Sequence, residues 1–131
     1  MKKLLIILML ALVSDSAMAE WTVVFGKDNT NETVYADFAT IRKAGNKVKM
    51  WTMYDYKTAQ EISLYKYLSY KFQWEFDCQE EQVRSLYAFF FSGNMGNGDL
   101  VARGGEPTKF IPILPGTCVE FYWKIACKQK K

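Results

Sequence analysis

From residue 67 to residue 76 the chain alternates without interruption. The even positions are Leu68, Tyr70, Phe72, Trp74 and Phe76, and the odd ones are Tyr67, Ser69, Lys71, Gln73 and Glu75. A period of two marks an extended strand with one buried face, because successive side chains leave a strand on opposite sides. A slip of one residue would put four aromatic rings into water, so the pairing register is firmly specified. The segment commits the chain to a sheet with at least one apolar face, and the remaining sequence must supply its neighbours.

Those neighbours are legible on both sides. Residues 21–25 and 33–37 are short apolar, β-branched runs separated by the polar turn 27–31. Residues 38–41 read as a tight turn or a single helical turn, closed by Lys43-Ala44-Gly45-Asn46. A third strand covers 47–56. Val48, Met50, Thr52 and Tyr54 face one side of it, and Lys49, Trp51, Met53 and Asp55 the other. Residues 57–66 show no period and read as a loop with a helical turn near 59–64. The strand at 83–91 is apolar on both faces, with Leu86, Ala88 and Phe90 opposed to Val83, Tyr87, Phe89 and Phe91. Asn97-Gly98 signals a hairpin leading into a short sixth strand at 100–102. Gly104-Gly105-Glu106-Pro107 then breaks the sheet, and Pro112 and Pro115 keep 110–114 extended. Thr117 and Glu120 have the spacing of a capping box opening a helix over 118–127. The expected fold is α+β: a six-stranded antiparallel sheet with one C-terminal helix packed on it.

The first nineteen residues belong to a different story. Met1-Lys2-Lys3 precedes an apolar stretch at 4–13, and Ala17-Met18-Ala19 places small residues before Glu20. This is the pattern of a secretory signal peptide cleaved before Glu20, with an apolar core too short to span a bilayer. The expected division is therefore a signal peptide at 1–19 and a single domain at 20–131. Losing Lys2, Lys3 and Asp15 takes the net charge from +3 to about +2, too mild to argue for nucleic acid.

The chain contains no histidine. That removes the commonest general base, the commonest metal ligand and every Ser-His or Cys-His nucleophile pair. Three cysteines, Cys78, Cys118 and Cys127, lack the ligand number and spacing of a zinc site, so neither metal nor cofactor is expected. In an oxidising compartment two of the three should pair. Helical geometry puts Cys118 on the same arc as Tyr122 and Ile125, and Cys127 about 180° from Cys118 if the helix stays regular. Last turns tighten, so the residues by themselves leave both pairings of Cys78 open.

Other clusters have plain readings. Asp77 with Glu80-Glu81 reads as a solvated turn, not an acid/base pair, because adjacent side chains in a turn diverge. Gly93, Gly96 and Gly98 lie between strands with no helix to follow, which excludes a phosphate loop. Asn31-Glu32-Thr33 is a short sequon of the kind that arises by chance. Lys128, Lys130 and Lys131 complement the helix dipole.

Taken together, several segments resemble the surface-adhesin protein E family of exported bacterial proteins. The resemblance begins at Trp21 and runs through Val34-Tyr35-Ala36-Asp37, Ile41-Arg42-Lys43, Gly45-Asn46 and Val48 with Met50-Trp51. It continues through Tyr54-Asp55-Tyr56, Glu75-Phe76-Asp77-Cys78, Ser92-Gly93-Asn94-Met95-Gly96 with Gly98, Pro115-Gly116 and Ile125-Ala126-Cys127. It implies a C-terminal helix clamped to the sheet by a Cys78–Cys127 disulfide; with that pairing, the helical arc makes Cys118 a small buried hydrophobe. It also implies a non-catalytic envelope protein, with adhesin members binding host matrix proteins. An outer-membrane lipoprotein needs cysteine directly after the cleavage site, and here that residue is Glu20. The location expected is thus periplasmic before cell-surface.

One ten-residue helix covers one face of a sheet. The other face, around Trp51, Met53, Tyr87, Phe89 and Phe91, must meet a partner, a second copy of the chain, or the segments 57–66 and 104–116 folded over it. The function expected is recognition of a protein or glycan ligand at the envelope through this patch or a sheet edge, without nucleic acid or a transmembrane segment. The alternatives are a periplasmic homodimer with a structural or ligand-sequestering role, and a hydrolase working with carboxylates alone, for which no facing pair is apparent.

Overall fold

A computed structural model describes residues 20–26 and 30–128. The expected signal peptide at 1–19, part of the expected turn at 27–29, and residues 129–131 with Lys130 and Lys131 lie outside the described residues. The strands in chain order are β1 (Trp21–Phe25), β2 (Glu32–Asp37), β3 (Arg42–Ala44), β4 (Lys47–Ile62), β5 (Tyr65–Asp77), β6 (Gln82–Phe91), β7 (Leu100–Gly104) and β8 (Ile111–Pro112). The helix α1 (Cys118–Lys128) follows. All pairings are antiparallel, in the order β1-β2-β4-β5-β6-β7.

The expected antiparallel α+β fold holds, with eight strands where six are read from the sequence. β4 and β6 are each longer than the outer strand, β2 or β7, that pairs with them. β2 pairs with residues 52–56 of β4, and β3 takes up residues 47–49 beyond it. On β6, β7 pairs with residues 88–91 and β8 with residues 82–83. The extra strands are two- and three-residue pieces that satisfy backbone groups left over by the longer partners.

The stretch expected as a loop, 57–66, is mostly strand. β4 continues to Ile62, turns at Ser63-Leu64 and returns as β5, with a register shift between Asp55 and Gln60. This hairpin tip buries neither face: Leu64 is 97% exposed and Tyr65 54%. With no buried side there is no alternation to read.

A bulge in β6 moves one residue across the sheet. Phe72 lies opposite Ala88 but Trp74 lies opposite Ser85, so β6 carries an extra residue between them. Val83 therefore shares a face with Ala88 and Phe90, not with Phe89 and Phe91.

The helix packs on the face carrying Val48, Met50 and Phe76, which form the core with Val34, Ala36, Ile41, Val83, Tyr122 and Ala126. Thr117 Oγ1 accepts the Glu120 N–H at 3.3 Å, and Glu120 reaches back to the Gly116 N–H at 3.0 Å, one residue before the expected box partner. The stripe meeting the sheet is centred on Val119, Tyr122, Trp123 and Ala126, with Ile125 and Cys127 packed at its edges, and the Trp123 indole donates to the Asp77 carbonyl at 3.1 Å. This stripe is turned from the expected Cys118-Tyr122-Ile125 arc by most of one residue's ~100° step. The rotation carries Cys127 to Cys78, with which it forms a disulfide at a Cα–Cα distance of 5.7 Å. It also leaves Cys118 free and exposed, correcting its expected burial.

The opposite face is covered in part by a segment not foreseen in that role. Residues 92–99 fold back over β4 and β5 around a 3-10 turn at Asn94–Gly96. Asp55 Oδ1 accepts the Met95 N–H at 2.7 Å and the Asn94 amide at 3.1 Å. Ser69 Oγ accepts the Gly96 N–H at 2.9 Å and donates to the Gly93 carbonyl at 2.6 Å. These bonds hold Met95 at a φ of 56°, in the left-handed region that costs a non-glycine residue on the order of 1 kcal/mol or more. At the other end, Phe110 lies under Lys47 and Arg84, so the segment after β7 shields that margin.

Candidate functional site

The register of β4, β5 and β6 sets Met53 opposite Lys71 and Lys71 opposite Phe89. Trp51, Met53, Phe89 and Phe91 therefore share one face, and the Trp51 and Phe89 rings lie 6.0 Å apart. Three of the five patch residues expected from the sequence, Trp51, Phe89 and Phe91, line an open recess of about 350 Å³. Met53 does not reach it: it is fully buried beneath the 94–96 turn. Tyr87 is exposed and lines a neighbouring depression of about 480 Å³ with Arg103 and Gly104, and Phe89 borders both.

The remaining walls of the recess come from residues that the patch did not include. β1 pairs with β2 so that Trp21 stands opposite Asp37. Asp37 is almost fully buried and accepts N–H groups from Ala39 at 3.1 Å and Glu20 at 3.3 Å, which starts the 3-10 turn Phe38–Thr40. Thr40 lines the recess too, and its Oγ1 is buried without a hydrogen-bond partner among the described residues. Lys71 is half-buried on the floor. Its Nζ lies 5.3 Å from the Phe91 ring centre and 5.7 Å from that of Trp21, within cation–π range. Among the described residues no carboxylate forms an ion pair with it; the pairs present are Lys47–Asp77 and Arg84–Glu75. Lys71 occupies the polar phase of the 67–76 alternation, so only the cross-strand register shows that it sits among rings.

The helix-bearing face holds a second aromatic group beyond the helix. Tyr54 and Tyr70 stack at 4.6 Å, Tyr70 lies 5.0 Å from Phe90, and Tyr67 meets Phe90 edge-on at 4.9 Å. The Tyr54 and Tyr122 hydroxyls lie 3.3 Å apart, and Tyr56 donates to Glu32 at 2.6 Å. Burial pushes the Tyr122 phenol up to about 12, and also raises Tyr54, Tyr56 and Tyr70 well above the usual tyrosine value. These phenols stay protonated at physiological pH and act as packing groups and hydrogen-bond donors, not as bases.

The carboxylates are similarly committed. Asp77 Oδ1 accepts the Glu80 and Gln79 N–H groups at 3.0 Å each; these bonds, Glu80's foremost, with Lys47 beside them, hold its carboxyl below the usual range. Glu75 takes both Arg84 Nε at 2.8 Å and Nη2 at 2.6 Å. Among the described residues no cluster of three histidine, cysteine, aspartate or glutamate side chains is placed to hold a metal ion. No helix among them is long and apolar enough to cross a membrane.

Comparison with known proteins fits this architecture. The sequence matches the family model described as surface-adhesin protein E over residues 21–128. No curated protein sequence matches the chain. A solved structure of Haemophilus influenzae protein E is similar, with a TM-score of 0.60 and 14% identity, covering 80% of this chain and 83% of that one. A structure of protein E from non-typeable Haemophilus influenzae gives a TM-score of 0.57 at 14% identity, covering 80% and 74%. At that identity the likeness is one of fold.

Proposed function

Because the chain belongs to the surface-adhesin protein E family, we propose that it is an exported, non-catalytic binding module of the cell envelope that recognises a protein or glycan ligand. The observation that carries this reading is the open recess of Trp21, Trp51, Lys71, Phe89 and Phe91 on the sheet face away from the helix. Rigid aromatic rings around a cation provide contact area at low conformational cost, as recognition surfaces do.

Export is part of the same reading. Residues 1–19 act as a signal peptide, and cleavage before Glu20 would turn the Glu20 nitrogen into an α-ammonium. That nitrogen sits 3.3 Å from Asp37 Oδ1, so processing would give a buried carboxylate its counter-charge. Release is into the periplasm, since Glu20 cannot carry a lipid.

Fractionation followed by capture tests the proposal. The mature, oxidised protein, immobilised, should retain a defined component from envelope or matrix extracts, and intact cells should release the protein with periplasmic contents. Capture of nothing above background from either source would remove the binding function. Retention of the full-length form in the inner membrane would remove the export step.

A second reading rests on the β1 edge. β1 ends the sheet, carries only Trp, Thr and apolar residues, and exposes Val23 at 54%, without the charges that usually guard an edge. Self-association as a homodimer with a structural or ligand-sequestering role follows from it. Light scattering of the mature protein distinguishes the two, because a strict monomer at high concentration eliminates the dimer.

A further inference from the structure

We infer that the Lys71 recess is a subsite for a carboxylate-bearing sugar at the end of a glycan chain. This rests on the binding function proposed above and names the chemistry of its ligand. Lys71 is a half-buried cation that no carboxylate neutralises among the described residues. The acidic side chain that lines the recess, Asp37, is engaged by the N–H groups of Glu20 and Ala39. A half-buried cation that meets only ring faces keeps its N–H donors free for an anion, and a charge-assisted hydrogen bond from Nζ is among the stronger contacts available.

The anion's carrier follows from the walls. Trp21, Trp51, Phe89 and Phe91 present ring surface, and the apolar C–H face of a pyranose packs on such rings while its rim stays polar. A recess of about 350 Å³ is at the lower end for small-ligand sites, which suits one or two sugar units better than a folded segment. An extended acidic peptide would engage backbone groups along a strand edge, and the recess lies on the face of the sheet. The acidic sugar is the occupant that uses the cation and the rings together.

The test is a tryptophan-fluorescence or NMR titration of the mature, oxidised protein with sialyl- and glucuronyl-terminated oligosaccharides, their neutral counterparts, and an acidic peptide of equal charge. Binding should be confined to the acidic sugars and should weaken with salt. Lys71→Met should weaken it roughly ten- to hundredfold, the effect of losing a hydrogen bond to a charged group, while Lys71→Arg should retain most of it. Trp51→Phe, a milder change, guards against a variant that fails to fold and should weaken binding without abolishing it. Equal binding of neutral and acidic sugars, unchanged affinity in Lys71→Met, or tight binding of the peptide with none of the sugars would each overturn the inference. Envelope capture is run in parallel with the same variants. Capture that persists in Lys71→Met while no sugar binds sinks this subsite and leaves the binding module standing; absence of both sinks both.

Discussion

Removing the Cys78–Cys127 link should destabilise the protein by an amount set chiefly by the loop it closes. The two cysteines are separated by 49 residues. Chain entropy gives about 14 cal/mol/K for a loop of that length, or about 4 kcal/mol near room temperature. Unfolding entropy of about 2.1 cal/mol/K per residue over roughly 110 residues converts this to a fall in Tm of about 18 °C. The double variant Cys78→Ala/Cys127→Ala, in a Cys118→Ala background that prevents exchange, is compared with Cys118→Ala alone by thermal and urea denaturation. The urea m-value should rise, because an uncrosslinked chain exposes more surface when unfolded. The helix also has its own packing: truncating buried Tyr122 would cost a further ~3–5 kcal/mol, a comparable sum. Hydrogen exchange separates the two effects, since α1 amides should lose protection first if the disulfide pins the helix locally. A loss under about 1 kcal/mol with unchanged α1 protection would refute the reasoning and leave the helix held by Tyr122, Trp123 and Ala126 alone.

The remaining expectations are narrower. Asp77 ionises below the ordinary carboxylate range in the folded state, so its contribution is present above about pH 4 and lost as pH falls through the folded value; urea midpoints measured down the acid limb should fall less steeply in Asp77→Asn, and parallel limbs would contradict this. Tyr54, Tyr70 and Tyr122 have raised values, so stability is intact below about pH 10 and declines as pH rises further; tyrosinate absorbance should rise together with loss of far-UV signal, and independent early ionisation of these phenols would be the contrary result. Gly96 has a φ of 73°, and a Cβ there would lie 2.7 Å from Lys71 Cε. Gly96→Ala should therefore cost about 1 kcal/mol and displace Lys71, read as a shift in its side-chain NMR signals; an unmoved Lys71 would contradict the geometry.

Legibility in the sequence followed burial. The alternation at 67–76 predicts β5 because one of its faces packs against a core, and the Thr117-Glu120 spacing marks the start of α1 because capping is local chemistry. The hairpin tip at 57–65 left no trace because neither of its faces is buried, and backbone pairing alone imposes no residue pattern. Val83 was misplaced because a bulge changes parity without a composition signal. Met53 belongs to the patch by sequence, yet the 92–99 segment covers it through Asp55 and Ser69, two polar residues whose long-range role no local pattern announces. Trp21, Asp37, Thr40 and Lys71 come together only through the β1-β2-β4-β5 register, which is a tertiary fact. Cys118 and Cys127 depended on the helix's rotation about its own axis, and a shift of less than one residue's turn decides which thiol faces the sheet.

The decisive comparison is between the two faces of the sheet. Binding of the captured envelope or matrix component is measured for the mature wild type, for Trp51→Ser/Phe89→Ser in the recess, and for Tyr67→Ser on the opposite face, with each variant's fold checked by thermal melting. Loss of binding in the recess pair with retention in Tyr67→Ser is the predicted result. Full binding by the recess pair, with loss in Tyr67→Ser, would place recognition on the helix-bearing side and contradict a role for the recess.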